Sequence, residues 1–212
     1  MLENINRHRL SIGIESGNQE YARTMLLRNC SNETILEACE TVANSSIELS
    51  VNNVVGFPEE TREMMFDTIN LNRKVNAKSH SCAIFQPYHG TTLHKHCVKK
   101  GYIDPNVMSE NLTYVSPIKQ PHITDKEIEG IAKCFALYTK LPNEMYEFIK
   151  IAEKNDKQGK KMFEELAAIY KKVYAPKSES DVGGGTRMVV NINKFKTNGI
   201  FNRLQEIQHQ SN

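Results

Sequence analysis

The residues best equipped for chemistry lie in four short stretches: GIESG (13–17), LLRNCSNETI (26–35), NNVVGFPEET (52–61) and FQPYHGT (85–91). Glu15, with Ser16 beside it, points a carboxylate from a strand end. There it can accept hydrogen bonds from a sugar diol or an amino group. Arg28 can hold a ligand carboxylate in a two-pronged grip. Gly56 follows an apolar run and lets backbone approach a flat ring or a ribose. Glu59 comes three residues later, and Pro87 and Gly90 bend the chain beyond Phe85. Each signal alone has a plainer reading: a turn glycine, a solvated carboxylate, a surface arginine, acids that complement a helix dipole. Their joint force comes from order and spacing.

The elements that must position them follow from periodicity. Leu10, Ile12 and Ile14 alternate with polar or small residues, which predicts a strand ended by Ser16-Gly17-Asn18. Residues 19–28 read as helical. Ser31 is an N-cap candidate for a helix with Ile35, Leu36, Cys39, Val42 and Ala43 on one face. Residues 47–55 predict a second strand, and Glu59 and Glu60 open a helix with Met64, Met65, Thr68, Ile69, Leu71 and Val75 on its buried side. Residues 79–86 predict a third strand and 92–100 a short helix. The order β-α-α-β-α-β-α implies parallel strands with right-handed crossovers. All four stretches then fall at the C-terminal ends of strands, the edge where α/β sheets and barrels bind ligands. Three strands are too few to close a barrel, so the sheet reads as continuing in something upstream.

Residues 101–123 hold Pro105, Pro117 and Pro121 and read as a connecting loop. Thr124 to Glu127 spell a capping box before Ile128, Ile131, Ala132, Phe135 and Tyr138. Pro142 is expected in the first turn of the next helix, and 160–174 in another. Residues 175–186 have linker composition, and MVVNI in the tail is strand-like. The expected organisation is therefore 1–100, 101–175 and 176–212.

GIESG, R-x-x-S-x-E-x-I, VGFP-x-ET and F-x-P-x-x-GT, taken as a set over residues 9–100, resemble the second half of the radical S-adenosylmethionine (SAM) superfamily barrel. The likeness is greatest to the group often fused to a cobalamin-binding domain. The resemblance implies an α/β fold: a partial (β/α) barrel, strands four to six with their helices, followed by a helical C-terminal extension. It implies a [4Fe-4S] cluster that binds SAM and delivers one electron to break its carbon–sulfur bond. The resulting 5′-deoxyadenosyl radical abstracts hydrogen from substrate. Carried over by position, Glu15 and Ser16 match the strand-four SAM contact, and Arg28 the residue that meets the SAM carboxylate. Asn52, Val54, Gly56 and Glu59 match the strand-five pattern G-x-I-x-G-x-x-E, with Asn52 and Val54 replacing Gly and Ile. Phe85, Gln86, Pro87 and Tyr88 match the strand-six segment along the adenine, with His89 where relatives often have proline.

The family's C-x-x-x-C-x-x-C does not occur. Cys30, Cys39, Cys82, Cys97 and Cys134 are scattered, and Cys30, Cys39 and Cys82 read as small core residues. The expectation is a chain inactive alone, whose partner is the N-terminal half of the barrel, fused or separate, with cobalamin in a preceding domain as an option. The substrate is open. The alternative is a non-catalytic remnant serving as a binding module. A net charge of +2 with intermixed signs gives no argument for nucleic acid or an anionic membrane. No apolar run approaches the roughly 20 residues of a membrane helix, and no signal peptide is evident, so a cytoplasmic location is expected. A metal reading of His89, His94, His96 and Cys97 is set against a polar helix end, and a phosphate reading of DVGGGT (181–186) against a linker.

Overall fold

The computed structural model describes residues 9–108 and 116–174. Its elements run β1 (Arg9–Glu15), α1 (Gln19–Thr24), α2 (Asn32–Ala43), β2 (Glu48–Val55), α3 (Arg62–Arg73), β3 (Ser79–Ile84), α4 (Thr92–Lys99), α5 (Asp125–Lys140), a 3-10 turn (Asn143–Met145), α6 (Tyr146–Glu153) and α7 (Lys157–Tyr174). The described residues from Arg9 to Tyr170 fall in one compact unit, and the last of α7, from Lys171 on, in another. DVGGGT and MVVNI lie outside the described residues.

The sheet is small, open and wholly parallel, in the order β1-β2-β3. With its helices it makes a partial β/α barrel followed by a helical extension. Parallel strands need crossovers, and α2 and α3 supply them. Alternation assigns the two faces. Ile14, Leu49 and Val51 are buried with Ile35 and Cys39 of α2, and with Leu71, Val75 and Ala77 in and after α3. The opposite face is small and polar. Ser79 Oγ bonds Ser50 Oγ at 2.9 Å, and Ser81 Oγ donates to Asn52 Oδ1 at 2.7 Å. Ser11, Asn52, Ser79 and Ser81 are exposed.

Helix ends follow local chemistry. Asn18, Ser31, Thr61, Thr91 and Thr124 are N-caps whose side chains accept the N–H three residues on. Thr124 and Glu127 form a complete capping box. Thr61 rather than Glu59 marks the start of α3, because Glu59 and Glu60 belong to the preceding turn. Pro142 precedes the 3-10 turn, not the first turn of α6.

Segment 101–123 is more than a connector. Ile103 and Ile118 are buried with Tyr21, Phe57, Phe85 and Cys97. Helix α5 runs back beside β3. Ile128 reaches Gly56 at the end of β2, and Lys140 Nζ donates to Ala77 O just before β3. Helix α6 packs on α5, where Glu153 accepts both Tyr138 Oη at 2.5 Å and Arg62 Nη2 at 2.6 Å. Burial, the hydrogen bond to Glu153 and the nearby carboxylate push the Tyr138 phenol well up. No helix among the described residues is long and apolar enough to cross a membrane.

Gly130 lets α5 and α6 approach closely: a Cβ there would sit 2.8 Å from Glu153 Cβ and 2.9 Å from Glu153 O. Helix propensity alone favours alanine by about 1 kcal/mol. We expect packing to win, with Gly130→Ala destabilised by about 1–3 kcal/mol in urea unfolding; a stabilised variant would refute the contact.

Candidate functional site

Among the described residues, strained backbone occurs at the end of β1, in the turn after β2 and beyond α1. Glu15 (φ 63°) and Glu59 (φ 65°) occupy the left-handed region, as does Leu27 (φ 55°) beside Arg28. Non-glycine residues go there at a cost of roughly 1–3 kcal/mol and stay only where surroundings dictate it. At Glu15 the cause is a tight turn: Ser16 N–H donates to Ile14 O at 2.8 Å, and the β1–β2 register shifts between Gly13 and Glu15.

This turn folds the Glu15 side chain back over its own strand. A Cβ on Gly13 would lie 2.5 Å from Glu15 Oε1, so Gly13 leaves room for the carboxyl. Arg28 closes on the same spot, donating Nη2 to Gly13 O at 2.8 Å. Burial raises the Glu15 carboxyl above its ordinary range, and the Arg28 charge pulls partly the other way. Gly17 ends the stretch for a different reason. A Cβ there would meet Asp67 O at 2.5 Å, and Gly17 N–H donates to Thr68 Oγ1 at 2.8 Å. Ser16 is buried between these features, its hydroxyl without a hydrogen-bond partner among the described residues. Asn52 stands on the open polar face with its Oδ1 taken by Ser81. Val54, on the same face, packs partly buried against the aromatic cluster.

The turn after β2 is held by residues that sequence spacing did not single out. Glu60 is fully buried, and its Oε2 accepts Gly56 N–H at 2.7 Å and Phe57 N–H at 3.1 Å. Burial outweighs those two bonds and pushes this carboxyl up to about 8. Its other oxygen has no hydrogen-bond partner among the described residues. Tyr21 Oη donates to Pro58 O at 2.6 Å, and its ring begins the series Tyr21–Phe57–Phe85, with centroids 6.2 and 5.1 Å apart. Gly56 (φ 78°) turns its bare side toward Ile128, whose Cγ2 would be 2.7 Å from an added Cβ. The space left by its missing side chain is filled by α5.

Glu59 points elsewhere. Its carboxylate pairs with Lys100 Nζ at 2.6 Å and lies 3.5 Å from His96 Nε2. The Lys100 hydrogen bond is the main reason its pKa is lowered. Phe85 extends the ladder one step beyond β3, its N–H donating to Val55 O at 2.9 Å. Phe85, Gln86 and Pro87 are buried, while Tyr88 is exposed. The structure thus brings Glu15, Ser16 and Arg28 together, and separately sets Phe85 against Phe57, the neighbour of Gly56. It sends the Glu59 carboxylate to α4.

No group of three or more His, Cys, Asp or Glu among the described residues could hold a metal ion. The rings of His89 and His94 stack at 4.3 Å, and His89 Nε2 lies 3.0 Å from Pro105 O. Cys39, Cys97 and Cys134 are buried, and burial raises each thiol. Cys82 is only partly covered. Cys30 is exposed, contrary to its expected core role, because it precedes the α2 cap rather than lying on the buried face of that helix.

Residues 1–71 match the model of the radical SAM superfamily. That span holds β1 to all but the end of α3, and so both strained strand ends. None of the curated proteins searched matches the chain.

The Glu60 carboxyl makes the fold pH-sensitive. Its pKa is higher folded than unfolded, so the stabilisation is full below about 4.5 and is lost as pH rises through about 8. Burial lowers His80 to about 3, which has the opposite slope but only below about 6.5. Unfolding free energy should therefore fall between pH 6.5 and 8, by up to ~1.4 kcal/mol per pH unit. Glu60→Gln keeps an oxygen for the two N–H groups and should flatten that slope. Urea titrations at both pH values decide; an unchanged slope in the variant would refute the assignment.

Proposed function

We propose that this chain supplies the SAM-binding, substrate-side half of a radical SAM barrel. The observation that carries the reading is the joint placement of Glu15 and Arg28 at the strained end of β1, within the span that matches the superfamily. A carboxyl and a guanidinium side by side suit the amino and carboxylate groups of an amino-acid ligand. Glu15 alternatively suits a ribose diol. The guanidinium, with one N–H on Gly13 O, keeps further N–H groups for a carboxylate. Asn52 within β2 and Tyr88 beyond β3 are exposed. In this reading the Gly56–Phe57 turn, held by Glu60 and Tyr21, supplies a fixed backbone wall for the ligand.

The [4Fe-4S] cluster that such enzymes use finds no ligand set among the described residues, and the sequence contains no C-x-x-x-C-x-x-C. Under this proposal the cluster is held by another polypeptide segment, fused or separate, that completes the barrel. This chain's own contribution is to bind and orient the adenosyl group and to shape the substrate side. Nothing in the match or the described residues argues for cobalamin. The lack of a ligand set also favours a second reading, a non-catalytic module that binds a ligand without redox chemistry.

Calorimetry with S-adenosylhomocysteine on the full chain tests the adenosyl part. We expect saturable binding, weakened roughly tenfold in Arg28→Ala by loss of a charge-assisted contact. Absence of binding would sink it. Anaerobic iron–sulfur reconstitution tests the cluster part: iron should stay far below four per chain. Four tightly held irons per chain would show that this chain ligates a cluster itself.

A further inference from the structure

Gln120 lies in the segment between α4 and α5, far in sequence from the turn after β2, yet it grips that turn with both ends of its amide. Its Oε1 accepts the Glu59 N–H at 2.6 Å, and its Nε2 donates to Phe57 O at 3.1 Å. A carboxamide presents one donor and one acceptor side by side. Phe57 C=O and Glu59 N–H, two residues apart, match that pair. They can both face Gln120 while Glu59 holds its left-handed conformation, which L residues otherwise disfavour.

Gln120 is itself anchored. Ile118 and Ile123 on either side are buried, and Lys119 N–H donates to Tyr102 O at 2.7 Å. His122 Nε2 lies 3.2 Å from Glu60 O, consistent with donation to that carbonyl. Glu60 holds the Gly56 and Phe57 N–H groups from the core side, and Tyr21 holds Pro58 O. Gln120 adds the Glu59 N–H and shares Phe57 O with the Glu60 N–H, which lies 3.1 Å from it.

We propose that Gln120 is a positioning residue of this site. Its amide fixes the Glu59 turn, and through it the Phe57–Glu59 backbone that an adenosyl ligand meets. The ligand half of this statement rests on the function proposed above; the brace itself does not. The extension after α4 thereby becomes part of the binding site.

Two variants of the full chain test it: Gln120→Ala, and Gln120→Met, which fills the same length without a donor or acceptor. Amide hydrogen exchange should be at least roughly tenfold faster at Glu59 in both. Exchange at Gly56 and Phe57, and the thermal midpoint, should hold. Affinity for S-adenosylhomocysteine should fall roughly tenfold in both. A Gln120→Met protein that protects Glu59 like wild type would overturn the brace and leave space-filling. Fast Glu59 exchange with undiminished affinity would overturn the positioning role. A wild-type chain that binds no S-adenosylhomocysteine would sink the functional reading instead, and the exchange data would still decide the brace.

Discussion

Helix α3 is tied by polar side chains to the end of β1, to β2 and β3, and to α5 and α6. Thr68 Oγ1 receives the Gly17 N–H at the end of β1. Asn72 exchanges hydrogen bonds with Asn53 of β2, at 2.7 and 3.1 Å, and meets His80 of β3 at 3.0 Å. Arg73 donates to Tyr138 O and Leu141 O at the end of α5, and Arg62 reaches Glu153 of α6. Buried polar groups of this kind are costly unless satisfied, and once satisfied they fix register in a way that apolar packing alone does not. A sliding α3 would break contacts to all three strands at once. Helix α3 therefore helps to set the strand ends that carry the candidate site.

That arrangement explains which strains persist. Glu15 and Glu59 sit where the chain leaves β1 and β2, and each is held by partners outside its own turn. For Glu15 these are Arg28, which bonds Gly13 O, and the Gly17 docking on α3. For Glu59 they are Gln120 and the Lys100 pair. The Glu60 carboxyl adds a buried acceptor whose protonation the surroundings favour. Strain supported from several directions is a stored geometry rather than a loose end.

Much of the fold was legible in the sequence because its cause is local. Ile12 and Ile14 alternate with Ser11 and Gly13, and the caps at Ser31 and Thr124 need only their own turns. The site was legible in part. Glu15 and Arg28 do meet, because GIESG and the following helix make a single βα unit. Choosing between Glu59 and Glu60 was beyond spacing: both are acids before a helix, and only packing against Phe57 and Tyr21 decides which is buried. Gly56 shows the same limit. A positive φ was foreseeable, but the atom that fills its bare side, Ile128, comes from a helix far along the chain. Segment 101–123 reads as a connector through its prolines. Its function as a clamp depends on Ile118 and Gln120, whose partners are tens of residues distant.

The open face of the sheet is the remaining constraint on function. Ser11, Asn52, Ser79 and Ser81 are exposed there, and β1 pairs only with β2 among the described residues. A sheet face of serines and asparagine has little apolar area to bury, so packing a hydrophobic layer on it would gain little. Such a face suits the water-accessible, hydrogen-bonding interior of an incomplete barrel. The unpaired edge of β1 suits another strand, since exposed backbone donors and acceptors favour pairing. Both features support the half-barrel reading over that of a self-sufficient binding module. An edge left unpaired would be a liability for a self-sufficient module.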